Sequence, residues 1–135
     1  MMRVLSFATA ALMCLGLAVA ADEADFQKWM KATGATCGSL KKNLEAKNGD
    51  GAVADAKKLT EVLKEVEHYF HGKNAAGAAK IAVESGAGFK EIGELAKAGK
   101  FDEGSAALKK TMGTCGGCHN TYREKAADGS WKIKI

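Results

Sequence analysis

Apolar side chains recur at helical spacing along most of this chain. Between about Glu23 and Lys47 they fall three or four residues apart, which places them on one face of a helix. A turn at Asn48-Gly49-Asp50-Gly51 separates this segment from a second predicted helix, from about Ala52 to His71, which Gly72-Lys73-Asn74 ends. The predicted inner faces carry Phe26, Met30, Thr33, Cys37, Leu40 and Leu44 in the first helix, and Ala56, Leu59, Leu63, Val66 and Phe70 in the second.

Two further helical segments follow. The third runs from about Ala75 to Ala98, where several glycines lower its intrinsic stability, and it stops at Gly99-Lys100. The fourth runs from about Asp102 to Ala127, and a loop at Asp128-Gly129-Ser130 separates it from the tail Trp131–Ile135, which alternates apolar and basic residues as a short strand would. The predicted inner faces carry Ile81, Phe89, Ile92 and Leu95 in the third helix, and Ser105, Leu108, Met112, Cys115, His119 and Tyr122 in the fourth.

Four helices joined by short loops predict an all-α fold, an antiparallel four-helix bundle. The composition agrees, because the chain has no proline and is rich in Ala, Lys, Leu and Glu, which favour helices. Its length predicts one domain, residues 21–135. The predicted core is rich in Ala and Gly, so a cofactor inserted between the helices would add apolar surface that the core lacks.

The first residues follow a different pattern. Arg3 precedes a largely apolar run from Val4 to Val19, which ends in the small residues Ala18-Val19-Ala20. A basic start, a short apolar stretch and an Ala-x-Ala end predict a secretory signal peptide over residues 1–20. A retained membrane anchor is the alternative. We therefore expect a periplasmic protein without stable membrane insertion once the signal is removed.

Charge and cysteine content narrow the classes of function. Removal of Arg3 leaves 19 of the 20 basic residues against 16 acidic ones, a formal charge of +3, which predicts neither nucleic-acid binding nor attraction to a membrane surface. The cysteines left after removal of the signal are Cys37, Cys115 and Cys118. An odd number in an exported protein argues against a simple disulfide framework.

The run Cys115-Gly116-Gly117-Cys118-His119 carries the clearest chemistry. Cys-x-x-Cys-His is typical of c-type haem attachment, because the two thiols add to the two vinyl groups of the porphyrin and the histidine ligates the iron. On a helix, Cys115 and His119 lie one turn apart on the same face. The motif predicts one haem c, covalently bound through Cys115 and Cys118, with iron ligated by His119.

Other interpretations of the cysteine and histidine residues fit less well. A thioredoxin-like pair would need a βαβ context, which the helical pattern does not offer. A zinc site would need two further ligands, for which Cys37, His68 and His71 are the candidates. We expect the two histidines to be solvated near a helix end, and Cys37 to be a small buried apolar residue, with an intermolecular disulfide as its alternative.

The motif lies on the last predicted helix and continues as Asn120-Thr121-Tyr122-Arg123. This resembles the class II cytochromes c, the family of cytochromes c′ and their low-spin relatives, whose motif reads Cys-x-x-Cys-His-x-x-(Tyr/Phe)-Arg on the fourth helix. The resemblance covers the layout of the mature chain, and its specific residues are concentrated in Cys115–Arg123. It implies His119 as proximal ligand, Arg123 near the proximal face of the haem, and Tyr122 as part of the binding site.

The family divides at the second axial position of the iron. In the low-spin branch a methionine of the first helix is the ligand and the protein carries electrons, whereas in cytochromes c′ the position is open and small gases bind. The run Met30-Lys31-Ala32-Thr33-Gly34 is similar to the ligand segment of the low-spin branch. This resemblance implies Met30 as axial ligand of an electron carrier. The alternative is a five-coordinate protein that binds NO or CO, with Met30 as plain core.

The resemblance has further implications for partners. An electron carrier implies redox partner proteins, and because family members often dimerise through their first two helices, a homodimer stays open. Trp29 is then expected to pack against haem or a partner subunit. Family members often carry an arginine in the first helix near the haem, where this chain has Phe26, Gln27 and Lys28. No distal His or Arg suited to acid–base work is present on that helix, so we do not expect an enzyme.

Overall fold

The computed structural model describes residues 21–135, so the predicted signal peptide, residues 1–20, lies outside the described residues. Within this range four helices pack against one another, and a two-stranded antiparallel β-ribbon follows them. The elements are α1 (Glu23–Glu45), α2 (Gly49–Gly72), α3 (Ala76–Lys97), α4 (Phe101–Tyr122), β1 (Arg123–Lys125) and β2 (Trp131–Ile133). None of the helices within residues 21–135 combines the length and the apolar content needed to cross a membrane.

The first three helices end in the same way. After each of them, one residue adopts a left-handed backbone conformation, with φ of 55° at Lys47, 56° at Asn74 and 73° at Gly99. The next amide donates to the carbonyl five residues earlier, at 2.8, 2.9 and 2.9 Å respectively. This is the Schellman arrangement, which satisfies carbonyls that the helix end leaves without partners. Three residues separate each pair of successive helices, so each connection is as short as the sequence predicts.

The start of α2 differs from the prediction. The helix begins at Gly49, where the sequence predicted a turn lasting to Gly51. Asn48 is the N-cap, because its side-chain oxygen accepts a hydrogen bond from the Gly51 amide at 3.2 Å. Asp50 adds a negative charge in the first turn, where the helix dipole favours it. Capping therefore outweighs the low helix propensity of the two glycines.

The end of α4 was predicted wrongly. The helix ends at Tyr122 and not at Ala127, because Arg123 has extended backbone angles (φ −127°, ψ 137°) and begins β1. This strand pairs with β2 so that Arg123 lies opposite Ile133 and Lys125 lies opposite Trp131. The tail, whose alternating apolar and basic residues resemble a short strand, thus pairs with β1. The residues of β1 have helical propensity, but their pairing with β2 places them in a strand. Local propensity does not predict such pairing.

The core follows the predicted faces of α1 and α2 closely. Every predicted inner residue of α2 is buried, and in α1 only Met30 and Thr33 are half-buried. In the first half of α4 the predicted Leu108 is buried, but the prediction is wrong for Ser105 and for Met112, which is 49% exposed. Gly104 and Thr111 are buried there instead.

Glycines set the spacing between α3 and its neighbours. A Cβ on Gly93 would lie 3.2 Å from the Ala56 Cβ of α2, and one on Gly88 would meet the Thr111 side chain of α4, including its Cβ at 3.2 Å. Both positions lie inside α3, where glycine is otherwise unfavourable. The close approach of helix backbones therefore explains these two glycines.

We predict that Gly88→Ala destabilises the protein by about 1–2 kcal/mol, because overpacking against Thr111 exceeds the gain in helix propensity. Adding Thr111→Ala should restore part of the loss, because it removes the crowded Oγ1 and Cγ2 atoms.

Gly113→Ala is the matched control in α4, because nothing outside its own helix backbone lies within 4 Å of its added Cβ. We expect it to stabilise by about 0.5–1 kcal/mol. Urea unfolding followed by circular dichroism measures all four proteins, and equal effects at the two glycines would contradict the packing account.

Candidate haem-binding site

One large cavity, of about 520 Å³, opens among the helices and the ribbon. Its volume lies in the range of small-molecule and cofactor sites. The walls are mainly apolar, and every helix as well as the ribbon contributes to them. Apolar lining residues include Phe26, Leu63, Val66, Phe70, Ile81, Ala82 and Ile133.

All the residues predicted to bind the cofactor line this one cavity. Cys115, Cys118, His119 and Tyr122 come from α4, Arg123 comes from β1, and Met30 comes from α1. The fold therefore brings Met30 and the Cys-x-x-Cys-His motif together from helices at opposite ends of the described chain. The ligation of iron by Met30 and His119 stays a prediction.

The motif occupies the last two turns of α4. Cys115, Cys118 and His119 are half-buried and share the cavity face of the helix. Between them, Gly116 and Gly117 have no heavy atom within 4 Å of the position that a Cβ would take. The backbone between the cysteines is thus open to a bulky group attached at both thiols.

Burial sets the protonation of these groups. It raises the pKa of the Cys115 thiol, an effect that a hydrogen bond to the Ser85 hydroxyl (3.7 Å) partly offsets. Burial, together with the neighbouring Cys115, also raises the pKa of Cys118. The pKa of His119 is lowered, first by burial and then by the positive charge of Arg123. At neutral pH the imidazole is therefore neutral, which is the form that can ligate a metal.

The third thiol lies in the same cavity. Cys37 is on α1, and only 7% of its surface is exposed. Burial, and secondarily the nearby Cys115, raise its pKa to about 11. All three cysteines within residues 21–135 are free thiols. Cys37 thus has the burial expected of a small apolar residue.

The formal charges that line the cavity have one sign. Lys31, Lys41, Arg123 and Lys132 contribute to its lining, and no Asp or Glu does so. All four side chains are exposed and can therefore surround the cavity mouth. An apolar interior with a basic margin fits an apolar ligand that carries negative groups, as haem does with its two propionates.

Part of the lining escaped sequence analysis. Trp131, Lys132 and Ile133 of β2 close one side of the cavity, and the alternation of the tail was the only signal for them. Ser85 lies on the buried face of α3, which consists largely of small residues. A search for small residues at helical spacing, rather than for large apolar ones, would have found it.

Other predicted residues lie outside the cavity lining. His68 and His71 are exposed, as expected, and the His71 Nε2 lies 3.6 Å from a Glu67 carboxylate oxygen. Within residues 21–135, no three His, Cys, Asp or Glu side chains are grouped closely enough to hold a metal ion, as a protein-only zinc site would require. Trp29 is half-buried against the core and does not line the cavity, contrary to a position against the haem.

No family model, no curated protein and no solved structure matches this chain. The resemblance to the class II cytochromes c therefore rests on the residues themselves, Cys115–Arg123 and Met30, and on their placement in a helical bundle.

Cys37 gives a prediction about pH. Its pKa of about 11 in the folded chain exceeds the ordinary value of 9.0, so folding favours the neutral thiol. The contribution of the Cys37 thiol to the free energy of unfolding is complete below pH 9, and it is lost as the pH rises toward 11. We expect the native chain to lose up to about 2 kcal/mol more than Cys37→Ala between these limits. Urea unfolding under reducing conditions at several pH values measures the difference, and parallel pH profiles for the two proteins would contradict it.

Proposed function

We propose that this chain is an exported, periplasmic c-type cytochrome with one haem, which carries electrons between redox partner proteins. The observation that carries the proposal is the convergence of Cys115, Cys118 and His119 from α4 and Met30 from α1 on one apolar cavity. In addition, the residues fit the group chemically. Two thiols can attach haem c, a neutral imidazole and a thioether can ligate its iron, and a basic margin can neutralise its propionates.

We also propose that the helices form an antiparallel bundle. Gly104 of α4 packs against Leu44 near the end of α1, whereas Tyr122 at the end of α4 stacks near Phe70, which in turn contacts Phe26 near the start of α1. Residue numbers thus rise along α4 as they fall along α1. The connections of three residues between successive helices support the same arrangement for the other pairs.

Each residue has a distinct role in this proposal. Cys115 and Cys118 would hold the haem covalently, and His119 and Met30 would ligate its iron. When bound, the haem supplies one-electron chemistry, and methionine–histidine ligation raises its reduction potential. Phe26 and Phe70 are buried apolar side chains of the cavity wall, and they would lower the local dielectric and so strengthen the influence of nearby charges.

The charged residues would complete the site. Arg123 places a positive charge near His119, as the lowered imidazole pKa indicates. Lys31, Lys41 and Lys132 are available at the cavity margin to neutralise propionates. These assignments favour a carrier over an enzyme, because the α1 face of the cavity offers a thioether and a neutral thiol but no histidine or arginine.

We predict that replacing either cysteine of the motif abolishes normal attachment. Cys115→Ser or Cys118→Ser leaves one thioether at most, and the double variant leaves none. Cys37→Ser is the matched control, because it removes a thiol from the same cavity but not from the motif. Haem staining of denaturing gels and intact mass spectrometry measure the attached group. A mature native chain that never carries a haem mass, when produced with a haem-attachment system, would disprove the proposed function.

We predict further that Met30→Ala converts a low-spin ferric spectrum with a methionine-to-iron charge-transfer band into a high-spin spectrum. The reduced variant should then bind carbon monoxide readily, because the axial position is open. Met112→Ala is the matched control, since Met112 also lines the cavity but lies on the same helix as His119. If Met30→Ala leaves the native spectrum unchanged, the methionine is core. A native protein that is already high-spin would instead favour gas binding as the function.

A further inference from the structure

The β-ribbon joins α1 and α4, which pack against each other less than helices that follow one another in the chain do. Neighbouring helices pack extensively in the pairs α1–α2, α2–α3 and α3–α4, whereas α1 and α4 touch over a smaller area and the cavity opens beside them. The ribbon continues directly from α4, and its second strand lies against α1. It therefore spans the weakest side of the bundle.

Two side chains of α1 hold the second strand by its backbone. The Gln27 side-chain amide donates to the Trp131 carbonyl at 3.2 Å, and the Ile133 amide donates to a Glu23 carboxylate oxygen at 3.1 Å. Gln27 and Glu23 lie one helical turn apart, so Gln27 presents a donor and Glu23 an acceptor along the strand, as a neighbouring strand would. This fixes β2 against α1 independently of the side chains that β2 carries.

The opposite side of the ribbon is fixed to α4. The Lys134 amide donates to the Tyr122 carbonyl at 2.8 Å, at the last residue of the helix. Across the strands, the Arg123 guanidinium stacks on the Trp131 ring, 3.8 Å from its centroid, and this pair stiffens the ribbon. A stiff element attached at both ends sets the distance between the helices that it joins.

Both attachments lie next to the proposed ligands of the iron. Gln27 is three residues before Met30 on α1, and Arg123 is four residues after His119. Residues of β2 also form part of the cavity lining between them. A change in the position of the ribbon is therefore transmitted over a single helical turn to each wall.

We propose that Glu23 and Gln27 are positioning residues, which hold the C-terminal ribbon against α1. In this way they fix the α1 wall that carries Met30 relative to the α4 wall that carries His119. The fixed spacing limits the entry of small molecules between the two walls. This inference rests on the proposed function for its cofactor. The ribbon acts as a clasp, and its two hydrogen bonds to α1 are the part that can open.

The test compares Glu23→Ala/Gln27→Ala with the native haem-loaded protein. Glu23→Gln is the conservative variant, because its side-chain oxygen can still accept from the Ile133 amide although the charge is lost. Glu45→Ala is the matched control for charge, since Glu45 is exposed at the far end of α1. Two quantities are measured: the rate of carbon monoxide binding to the reduced protein, and hydrogen exchange of the Trp131–Ile133 amides.

We expect the double variant to bind carbon monoxide about tenfold faster, because the loss of two hydrogen bonds favours the open clasp by roughly that factor. Amide exchange in β2 should accelerate in parallel, while Glu23→Gln and Glu45→Ala stay near native on both measurements. Faster exchange with unchanged carbon monoxide binding would overturn the positioning role. Unchanged exchange would show that the two bonds do not hold the ribbon, which also overturns it.

The two proposals fail in different ways. A chain without covalent haem disproves the proposed function, and amide exchange, which needs no haem, then still tests the clasp. If the native protein carries haem but has no methionine ligand, Met30 is not a ligand of the iron. The comparison of carbon monoxide rates between variants stays valid in that case, because it measures access to the cavity rather than the identity of the ligand.

Discussion

The close packing of α3 against its neighbours is the constraint on which this structure depends. Gly88 and Gly93 allow the α3 backbone to approach Thr111 of α4 and Ala56 of α2 so closely that a Cβ at either glycine would crowd its neighbour. α1 packs against α2, whereas its contact with α4 is smaller, and the cavity opens beside these two helices. Small residues such as Ala82 and Ser85 also line the cavity. The small residues of α3 thus contribute both to close helix packing and to the cavity wall.

Burial in that cavity then determines the chemistry of its walls. The same apolar surroundings keep the thiols protonated and the His119 imidazole neutral, so the α4 residues that line the cavity introduce no uncompensated charge. Positive charge is confined to exposed side chains at the margin, such as Lys31 and Lys41. An apolar centre with a charged edge is the pattern that a haem would present to the protein, with its ring buried and its carboxylates at the surface.

The sequence predicts features that depend on local spacing, and it does so well. The inner faces of α1 and α2, the short connections and the shared face of Cys115 and His119 all follow from helical periodicity. Features set by distant partners escape it. The end of α4 depends on pairing between β1 and β2. The hydrogen bond between Ser85 and Cys115 joins residues thirty positions apart. Local composition contains no information on either contact. The start of α2 was missed for a local reason, because the Asn48 cap outweighs the low helix propensity of glycine.

Sulfur chemistry on the cavity walls favours one residue as the second axial ligand. Cys37 shares the α1 face with Met30, two turns further along, but its pKa of about 11 keeps it a neutral thiol, and the thiolate is the form that binds metals. Cys115, on the side where the haem would be attached, contributes secondarily to this raised pKa of Cys37. Met112 projects from the same helix as His119 and is half exposed, so it does not face that histidine across the cavity. Met30 needs no deprotonation and lies on the other helix. Among the sulfur atoms of this cavity, only that of Met30 can ligate a metal without losing a proton and also lies on a different helix from His119. The spacing of α1 and α4 therefore matters for the proposed carrier.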